Sequence, residues 1–527
     1  MGSILSTLRN TYFNLLALFH EMNTTKQSFD ALISRVNDVA LPIMSPSTTF
    51  WEDDPPFPEL VNKQSENLSE RADIVIIGSG IAGASFAYAL IEQSRKLHGR
   101  QNWPRIVMLE ARSICSGATG RNGGHIKCSH YHEYSSLKAR YGMEAAKKLL
   151  KFQMRHHDIL INFIRGCSYL ELSGGRKVLT LDVFTDEEKW FQAKEMVQDL
   201  KRDMPEFGKE VLIYEGTVAC KEHHIDPEHC CGIITYPAAT LWPYRFVTSL
   251  YAILLEICPV FSIECNTPAT EIDVTGSNPL RPFVVHTPRG KVHTTHIIHA
   301  TDAFAANLLP NLTGKIFPVR GHMTAQKPGS LFPSLDGKKS WCFNHKKGFD
   351  YISQRPGSGM LMAGGGIVQS PEHGMDEFGI WTDDKSNYAI KAYLEGLLPT
   401  MFGPQNWGED SGTRVQNSWT GCMGFTPDLL PFVGPLDVSI TGRKLPQPLT
   451  CQRQPCEWIC AGFQGEGMVL AWLSGVATAL MLLGEEVDFQ EMDAIPGGEV
   501  HDWLPEQLLC SKERVDRLNV SDLAGHL

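Results

Sequence analysis

The sequence has no hydrophobic run long enough to cross a bilayer. Its longest apolar stretch, Met468–Leu483, has 16 residues and is interrupted by Ser474, Gly475 and Thr478. A transmembrane helix needs about 20 predominantly apolar residues in succession. The stretch therefore predicts a helix buried inside a globular protein.

Basic segments and a dense cysteine framework are also missing. The 48 Lys and Arg residues are outnumbered by 59 Asp and Glu residues, for a net charge of -11, and they form no cluster. This charge pattern argues against a nucleic-acid partner. The 14 cysteines are scattered and residues 1–30 show no secretory signal, so we expect reduced thiols and a cytoplasmic protein.

A metal-binding pattern is absent as well. His223, His224, His229, Cys230 and Cys231 crowd together, but their spacing matches no zinc motif, and we expect no metal. What is present is a composition of 43% hydrophobic and 20% charged residues over 527 positions. These values are typical of a soluble globular protein with several domains.

The first 70 residues are predicted to be an N-terminal leader that ends in a Pro-rich extended segment. Apolar residues from Ile4 to Phe19 fall on one helical stripe, and Gly2 with Ser6 fits an N-myristoylation signal. The alternative is a helix packed on the protein surface. Membrane contact is thus expected only through the N-terminus. The prolines between residues 42 and 58 predict an extended chain.

A glycine-rich turn marks a dinucleotide site. The run Gly78-Ser79-Gly80-Ile81-Ala82-Gly83 follows an apolar strand at 73–77 and opens a helix at 82–97. Such glycines allow a tight turn, close approach of a pyrophosphate and close packing of helix on strand, while the helix N-terminus faces the phosphates. Glu110 ends the next strand, where a carboxylate can bind ribose hydroxyls. The alternative is a glycine turn without a nucleotide.

A second segment of small residues follows Glu110. It runs from Ala111 to His125 and places many backbone amides close to a flat or anionic group. The segment resembles the flavin loop of the D-amino-acid-oxidase-like superfamily of FAD-dependent oxidoreductases, whose members carry a similar S-G-x-x-x-R-N-G-G run.

Further segments resemble superfamily motifs, in the same order, along residues 73–480. They are Leu241–Arg245 at the start of an FAD-domain helix, Ala300–Ala303 at an A-T-x-A turn, Pro318–His322 at a P-x-R-G strand, Trp419–Asp428 at the block near the isoalloxazine, and Ala461–Met468 at the terminal A-G-F-x-G-x-G-M block. The segments Trp51–Leu60 and Trp503–Pro505 also resemble a fungal branch of the superfamily.

The resemblance implies an α/β fold with a Rossmann-type, glutathione-reductase-like FAD-binding domain and an inserted α+β substrate domain that contains an antiparallel sheet. We place the FAD-binding domain at 71–150, 232–315 and 412–490, the substrate domain at 151–231 and 316–411, and a C-terminal tail at 491–527. Helical periodicity at 143–165, 186–203, 237–257 and 385–398, and strand alternation at 281–298 and 316–366, fit this division. Residues 437–456 are expected to form a surface loop.

The cofactor implied is FAD. The residues expected to bind it are Gly78, Gly80, Ile81, Ala82, Gly83, Glu110, Ala111, Arg112, Thr119, Arg121, Asn122, Gly123, Gly124, Thr301, Asp428, Gly462, Phe463, Gln464, Gly465, Gly467 and Met468. The apolar helix that starts at Met468 would direct its N-terminus at the negative charge of reduced flavin. The alternative there is a plain buried helix with a glycine-rich entry.

Members of the superfamily oxidise a C–N bond by hydride transfer to flavin, giving an imine that water hydrolyses. The resemblance therefore implies a small-molecule amine or amino-acid-like substrate, with O₂ or another electron acceptor. This chemistry depends mainly on placing a neutral amine over the flavin, so no catalytic triad is expected.

Three residues are candidates for catalysis, each with an alternative. His125 follows the flavin loop and is suited to amine deprotonation, or it is a histidine hydrogen-bonded beside the cofactor. Arg320 pairs with a substrate carboxylate or forms an internal salt bridge. Tyr351 faces the substrate or belongs to the core.

Two departures from the superfamily pattern concern the electron acceptor and the cofactor linkage. Sarcosine-oxidase-like relatives place an oxygen-activating lysine in the strand at 359–365, where this chain has Met362 and no lysine. This puts fast reaction with O₂ in doubt and leaves a dehydrogenase open. Some relatives tether FAD to a cysteine near Cys422, which is offset by one residue, so covalent and non-covalent binding both stay open.

Two other classes of function compete with amine oxidation. A flavin monooxygenase of fungal secondary metabolism would need NAD(P)H, and we find no second nucleotide fingerprint in the sequence. A non-catalytic flavoprotein would not need the whole series of cofactor loops.

Overall fold

The computed structural model describes residues 22–38, 40–99, 103–276, 278–410, 412–445, 454–484 and 491–525. The N-terminal apolar stripe and the acylation signal lie outside these residues, as does part of the predicted loop at 437–456. Within the described ranges, no helix is both long enough and apolar enough to cross a membrane.

The strands are described first in chain order. They are β1 (Ile74–Ile77), β2 (Ile106–Leu109), β3 (His125–Ile126), β4 (Arg176–Phe184), β5 (Leu212–Glu215), β6 (Gly232–Thr240), β7 (Phe261–Glu264), β8 (Glu271–Val274), β9 (Phe283–Thr287), β10 (Gly290–Thr294), β11 (His296–His299), β12 (Phe317–Gln326), β13 (Lys339–Asn344), β14 (Phe349–Gln354), β15 (Leu361–Gly364), β16 (Val415–Phe425), β17 (Phe432–Pro435) and β18 (Cys456–Ala461).

The helices follow in the same order, beginning with α1, the helical residues 22–36. The others are α2 (Ile81–His98), α3 (His130–Tyr141), α4 (Met143–Gly166), α5 (Ser168–Glu171), α6 (Glu187–Asp203), α7 (Pro205–Gly208), α8 (Gly216–His223), α9 (Pro243–Ile257), α10 (Ala305–Leu308), α11 (Tyr388–Phe402), α12 (Pro404–Trp407), α13 (Val438–Thr441), α14 (Ala471–Leu483), α15 (Val500–Trp503) and α16 (Lys512–Arg517).

A six-stranded sheet forms the first layer, in the order β17-β18-β11-β1-β2-β7. Its strands are parallel except for β17, which runs antiparallel to β18. Strand β1 consists of four β-branched residues that are all buried, as expected for a parallel strand covered on both faces. This is the Rossmann-type sheet that the fingerprint predicts.

Two helices pack tightly over this sheet. Helix α14 is buried along all of its residues, which confirms the buried helix predicted from the long apolar stretch. A Cβ atom on Gly475 of α14 would lie 2.5 Å from the Ala82 carbonyl oxygen and 2.0 Å from Ser85 Oγ. The glycine therefore lets the backbone of α14 approach α2, whose N-terminus lies at the glycine turn.

A nine-stranded sheet forms the second layer, in the order β16-β12-β15-β14-β13-β4-β6-β3, with β5 also paired to β6. Neighbouring strands are antiparallel except for β4 and β13, which are parallel. Strands β8, β9 and β10 form a separate three-stranded sheet. The antiparallel sheet that the resemblance implies is therefore present.

Sheet membership differs from the expected segment boundaries. Strands β3, β6 and β16 all belong to the nine-stranded sheet, although they lie within segments assigned above to the FAD-binding part. The predicted helix at 237–257 begins only at Pro243, because residues 232–240 form β6. This strand is almost continuously buried, and a short apolar run of that kind has no period that distinguishes strand from helix.

Candidate active site

A cleft opens at the carboxyl ends of β1, β2 and β11, where ligands bind in open α/β sheets. Residues that follow each of these strands line it, namely Gly78 after β1, Glu110 after β2 and Thr301 after β11. The flavin loop and the segment before α14 complete the lining. The cleft thus brings together motifs that are far apart in the sequence.

The glycine turn has the geometry that the fingerprint requires. Gly78 has a φ of +111°, and a Cβ there would lie 2.3 Å from the Ala300 carbonyl oxygen. A Cβ on Gly83 would lie 2.2 Å from the Gly78 carbonyl oxygen, so this residue packs the helix against the turn and does not line the cleft. A Cβ on Gly80 would lie 3.0 Å from Thr119 Oγ1, on the floor of the cleft. The turn is therefore open to a large ligand only as glycine.

Glu110 fixes this turn as well as facing the cleft. Its Oε2 accepts hydrogen bonds from the Ser79 N–H at 3.0 Å and the Ser79 hydroxyl at 2.6 Å. Its Oε1 accepts one from the Arg112 N–H at 3.0 Å. Oε2 thus accepts two hydrogen bonds and Oε1 one, so Oε1 keeps acceptor capacity for a hydroxyl in the cleft.

Asp302 connects three loops around the cleft. It has a φ of +44°, and its Oδ2 accepts the Gly424 N–H at 2.8 Å. Its Oδ1 accepts the N–H groups of Gly462 and Phe463 at 2.9 and 3.2 Å. Burial raises the pKa of Asp302, and these amides oppose the rise. Asp302 is not among the residues predicted from the sequence, although it lies inside the A-T-x-A motif.

An unpaired polar atom tests whether the cleft suits FAD. Thr301 Oγ1 is buried in the cleft wall and has no hydrogen-bond partner among the described residues. A dinucleotide has hydroxyl, phosphate and ring nitrogen groups that pair with such atoms. The glycine turn, the N-terminus of α2, the Glu110 carboxylate and the Thr301 hydroxyl are therefore polar groups that fit FAD.

Comparison with known proteins agrees with the geometry. The family model described as FAD dependent oxidoreductase (DAO) matches residues 73–481, which is most of the chain. The chain belongs to this family. FAD is therefore its cofactor, and the protein is an FAD-dependent oxidoreductase.

Individual relatives in the DAO family are distant. Gamma-glutamylputrescine oxidoreductase of Escherichia coli (strain K12) is 22% identical over 438 residues, which cover 82% of this chain and 88% of that protein. Glycine oxidase from Geobacillus kaustophilus has 17% identity and a TM-score of 0.59 over 80% of this chain and 97% of that chain. L-proline dehydrogenase from P. horikoshii has 18% identity and a TM-score of 0.57 over 79% and 94%. The two solved structures share the fold.

Most residues expected to bind FAD line the cleft. They are Gly78, Gly80, Ile81, Ala82, Glu110, Ala111, Arg112, Thr119, Arg121, Asn122, Thr301, Phe463, Gly465, Gly467 and Met468. The guanidinium groups of Arg112 and Arg121 are directed at Asp383, with Nη1 of Arg112 at 3.0 Å and Nε of Arg121 at 3.4 Å from its carboxylate.

Several residues expected to bind FAD do not line the cleft but pack against its lining. Gly124 lies against the Leu241 carbonyl oxygen, and Gly123 packs against the Tyr351 ring. Gly462 donates its N–H to Asp302, as described above, and Gln464 bonds through its side-chain amide to Thr426 Oγ1 at 2.9 Å.

Asp428 is a correction to the expected FAD-binding residues. Its carboxylate pairs with Arg514 at 2.8 and 3.0 Å and accepts the Thr426 hydroxyl at 3.0 Å. This ion pair joins the segment after β16 to α16, and Asp428 does not line the cofactor cleft. The sequence motif therefore located the loop correctly but not the direction of this side chain.

One face of the nine-stranded sheet covers the end of the cleft. Tyr351 and Met323 line the cleft from this face, and the Tyr351 hydroxyl donates to Met323 Sδ at 3.2 Å. A Cβ on the paired Gly364 would lie 2.2 Å from Met323 Sδ and 2.5 Å from the Tyr351 hydroxyl. Cys422, which is in register with Arg320, is among the residues that line the cleft, and its thiol donates to the Ile380 carbonyl oxygen at 3.6 Å.

The structure places His125 and Arg320 in internal contacts. His125 Nε2 lies 2.9 Å from Ser340 Oγ, and burial lowers the pKa of His125 well below its usual value. A lowered pKa makes the His125 imidazole a weak proton acceptor, and His125 does not line the cleft, so the structure favours the alternative of a histidine hydrogen-bonded beside the cofactor. Arg320 forms a bidentate salt bridge with Glu377 at 2.7 and 3.1 Å, so the internal pair is the alternative that holds.

A buried ammonium lies on the same face as Tyr351. Asp182 is in register with Cys342, which is in register with Tyr351, so their side chains share a face. Lys127 Nζ lies 2.9 Å from Asp182 Oδ1. The other carboxylate oxygen accepts the hydroxyls of Tyr131 at 2.7 Å and Tyr236 at 2.8 Å. Asp182 raises the pKa of Lys127 above its usual value despite the burial, so this lysine is a permanent cation.

Glu466 is an acid within the cofactor-binding loop. It lies between Gly465 and Gly467, which both line the cleft. Desolvation and the nearby Glu133 raise the pKa of Glu466 to about 7, while Lys127 lowers it. Among the described residues we find no hydrogen bond or ion pair to its carboxylate. Glu466 and Lys127 are not among the residues predicted from the sequence, because only their neighbours match family motifs.

One group of side chains has the spacing of metal ligands. Glu271, Asp273 and His286 on β8 and β9 have ligand atoms within 4.8 Å of one another. The two carboxylates are exposed, and exposed acidic groups commonly meet without an ion. We assign no metal to this group.

Proposed function

We propose that this chain oxidises a C–N bond of an amine or amino-acid-like substrate. The names of the relatives favour this class, since they act on gamma-glutamylputrescine, glycine or L-proline. Bound FAD supplies the acceptor for the hydride and its two electrons. The observation that carries the proposal is Glu466, which lies in the chain between the cleft-lining residues Gly465 and Gly467 and interacts electrostatically with Lys127.

The charge pair suits a substrate that carries an ammonium and an acidic group. The Glu466 carboxylate attracts the ammonium and takes one of its protons on a carboxylate oxygen, which leaves a neutral amine. Lys127 attracts a substrate carboxylate, and Asp182 keeps its ammonium in place. Tyr351 and Met323 line the cleft.

The test is reduction of the flavin by a panel of amines. Purified holoenzyme is mixed without oxygen with primary and secondary amines, amino acids and, separately, NADPH. Loss of the oxidised-flavin absorbance with an amine, and release of the matching carbonyl product, supports the proposal. Reduction of the flavin by NADPH alone would instead support a monooxygenase. If neither the amines nor NADPH reduce the flavin, the proposal of amine oxidation is contradicted.

The same holoenzyme tests the electron acceptor. Once a reducing amine is found, oxygen is admitted to the reduced enzyme and the return of the absorbance is timed. Fast return with hydrogen peroxide formation supports an oxidase. Slow return, together with fast reoxidation by an artificial dye, supports a dehydrogenase.

A further inference from the structure

An N-terminal segment contributes to the cofactor site, although it precedes the region that the family model matches. We call residues 40–61 the strap. Leu41 and Pro42 of the strap line the cleft, whereas the family match begins at residue 73. We propose that the strap is part of the FAD site, with Leu41 and Pro42 as one wall, and that its anchoring bonds set the rate at which FAD leaves.

Ser47 anchors the strap to both sides of the cleft. Its N–H and hydroxyl donate to the Asp383 carbonyl at 2.8 and 2.7 Å. Its Oγ accepts Arg121 Nη2 at 2.7 Å and the Thr420 N–H at 3.2 Å. Arg121 belongs to the flavin loop and Thr420 to β16, so one serine joins the strap to two elements whose neighbouring residues line the cleft.

A buried ion network lies beneath this anchor. The Asp383 carboxylate interacts with Arg112 at 3.0 Å and with Arg121 at 3.4 Å, and all three side chains are at most 5% exposed. Arg112 Nη1 also reaches the Ile43 carbonyl of the strap at 3.3 Å. Removing one partner of such a network leaves a buried charge without compensation. The strap therefore covers charges that are costly to expose one at a time.

Trp51 provides a second anchor at the flavin loop. Its side chain is fully buried, and its Nε1–H donates to the Asn122 carbonyl at 2.5 Å. The Trp51 carbonyl accepts Trp242 Nε1–H at 2.8 Å. Gly124 of the flavin loop has a φ of +66° and lies next to the ring, because a Cβ there would be in van der Waals contact with it at 3.4 Å. Lifting the strap from the cleft thus requires breaking contacts with the flavin loop itself.

The test is the rate of FAD release, which needs no substrate. We compare the wild type with Ser47→Ala and Leu41→Ala, and with Glu59→Gln as a matched control at an exposed strap position. Freed flavin is followed by its fluorescence, and apo-protein unfolding is measured in parallel. Because Ser47 bonds a charged arginine, Ser47→Ala is expected to speed release about tenfold. Leu41→Ala is expected to speed it too, and Glu59→Gln to leave it unchanged.

Three results would overturn the proposal. Unchanged release from both Ser47→Ala and Leu41→Ala would show that the strap does not hold the cofactor. Faster release only in proportion to a lowered apo-protein stability would assign the strap a general structural role. FAD that stays attached after denaturation would exclude control of its release by the strap.

Hydrogen exchange gives an independent readout in unmodified protein. The strap backbone between residues 43 and 51 is expected to exchange more slowly with FAD bound than in the apo-protein, because the cofactor completes the wall beneath it. Equal exchange in the two forms would contradict the proposal. Slower exchange limited to the glycine turn at 78–83 would show that FAD binds without the strap.

Discussion

The sharpest test of the proposed chemistry is the pH dependence of flavin reduction. The Glu466 carboxyl has a pKa of about 7, so about one tenth of it is ionised at pH 6 and about nine tenths at pH 8. Only the ionised form can accept a proton from a substrate ammonium. For an amine that stays protonated across this range, the second-order rate constant of reduction should rise about tenfold from pH 6 to pH 8.

The Glu466→Gln variant should lose this step, which is the rise in the rate constant of flavin reduction between pH 6 and pH 8. An amide cannot accept the proton, and a general base contributes about a hundredfold or more to a rate, so reduction at pH 8 should fall by at least that factor. Stopped-flow measurement of flavin reduction without oxygen gives the rate constant, and the absorbance of the same sample gives the FAD content. If Glu466→Gln keeps a step near pH 7 at full FAD content, Glu466 is not the proton acceptor.

The charged residues near Glu466 provide controls, because replacing them should shift the Glu466 pKa in opposite directions. The negative charge of Glu133 raises the pKa of Glu466, so Glu133→Gln should move the step to lower pH. The positive charge of Lys127 lowers it, so Lys127→Met should move the step to higher pH. His132 also lowers it when protonated, and Tyr351 packs nearby as a neutral phenol whose pKa burial raises. His125→Gln should leave the midpoint unchanged, because burial holds the His125 pKa far below this range.

Three further predictions concern the cofactor site. Gly80→Ala should weaken FAD binding about tenfold or more, because its Cβ would lie 3.0 Å from Thr119 Oγ1 where the pyrophosphate approaches. Titration of the apo-protein with FAD measures the affinity, and an unchanged affinity would contradict the prediction. Asp302→Asn should cost about 2 kcal/mol and lower the thermal midpoint of the holoenzyme, because a donor replaces an acceptor of buried N–H groups; calorimetry that shows an unchanged midpoint would refute this. Tyr351→Phe should retain FAD and the thermal midpoint of the wild type, because the hydroxyl makes one weak hydrogen bond to Met323 Sδ. Loss of FAD from this variant would show that the hydroxyl holds the cofactor.

Local motifs were the part of the site that could be predicted from the sequence. The role of Gly83 depends on a backbone contact with Gly78 within a single strand-turn-helix unit, and the structure shows that contact. Glu110 lies at the cleft, and its position at the end of β2 follows from the apolar strand before it. Short-range geometry of this kind is encoded by adjacent residues.

Sheet membership could not be predicted in the same way. Strand β6 pairs with β4, and β16 pairs with β12, so each joins the nine-stranded sheet through a partner far away in the sequence. A strand pattern shows which residues alternate between two faces, but it does not identify the neighbouring strand. The segment boundaries at 232 and 412 stay predictions, and the nine-stranded sheet contains β6 and β16 on the FAD-binding side of them.

The arginines near the cofactor show why side-chain roles are harder to predict than positions. Arg112 and Arg121 line the cleft as expected, yet their guanidinium groups are committed to Asp383, and Arg320 is committed to Glu377. A buried guanidinium cannot lose its charge, so it must be paired before it can serve a ligand. The pairing carboxylates lie on distant segments that no motif marks. Asp383 both pairs with the two arginines and accepts the hydrogen bonds of Ser47 in the strap. Because no sequence motif marks Asp383, neither the partners of the arginines nor the contribution of the strap to the FAD site could be predicted from the sequence.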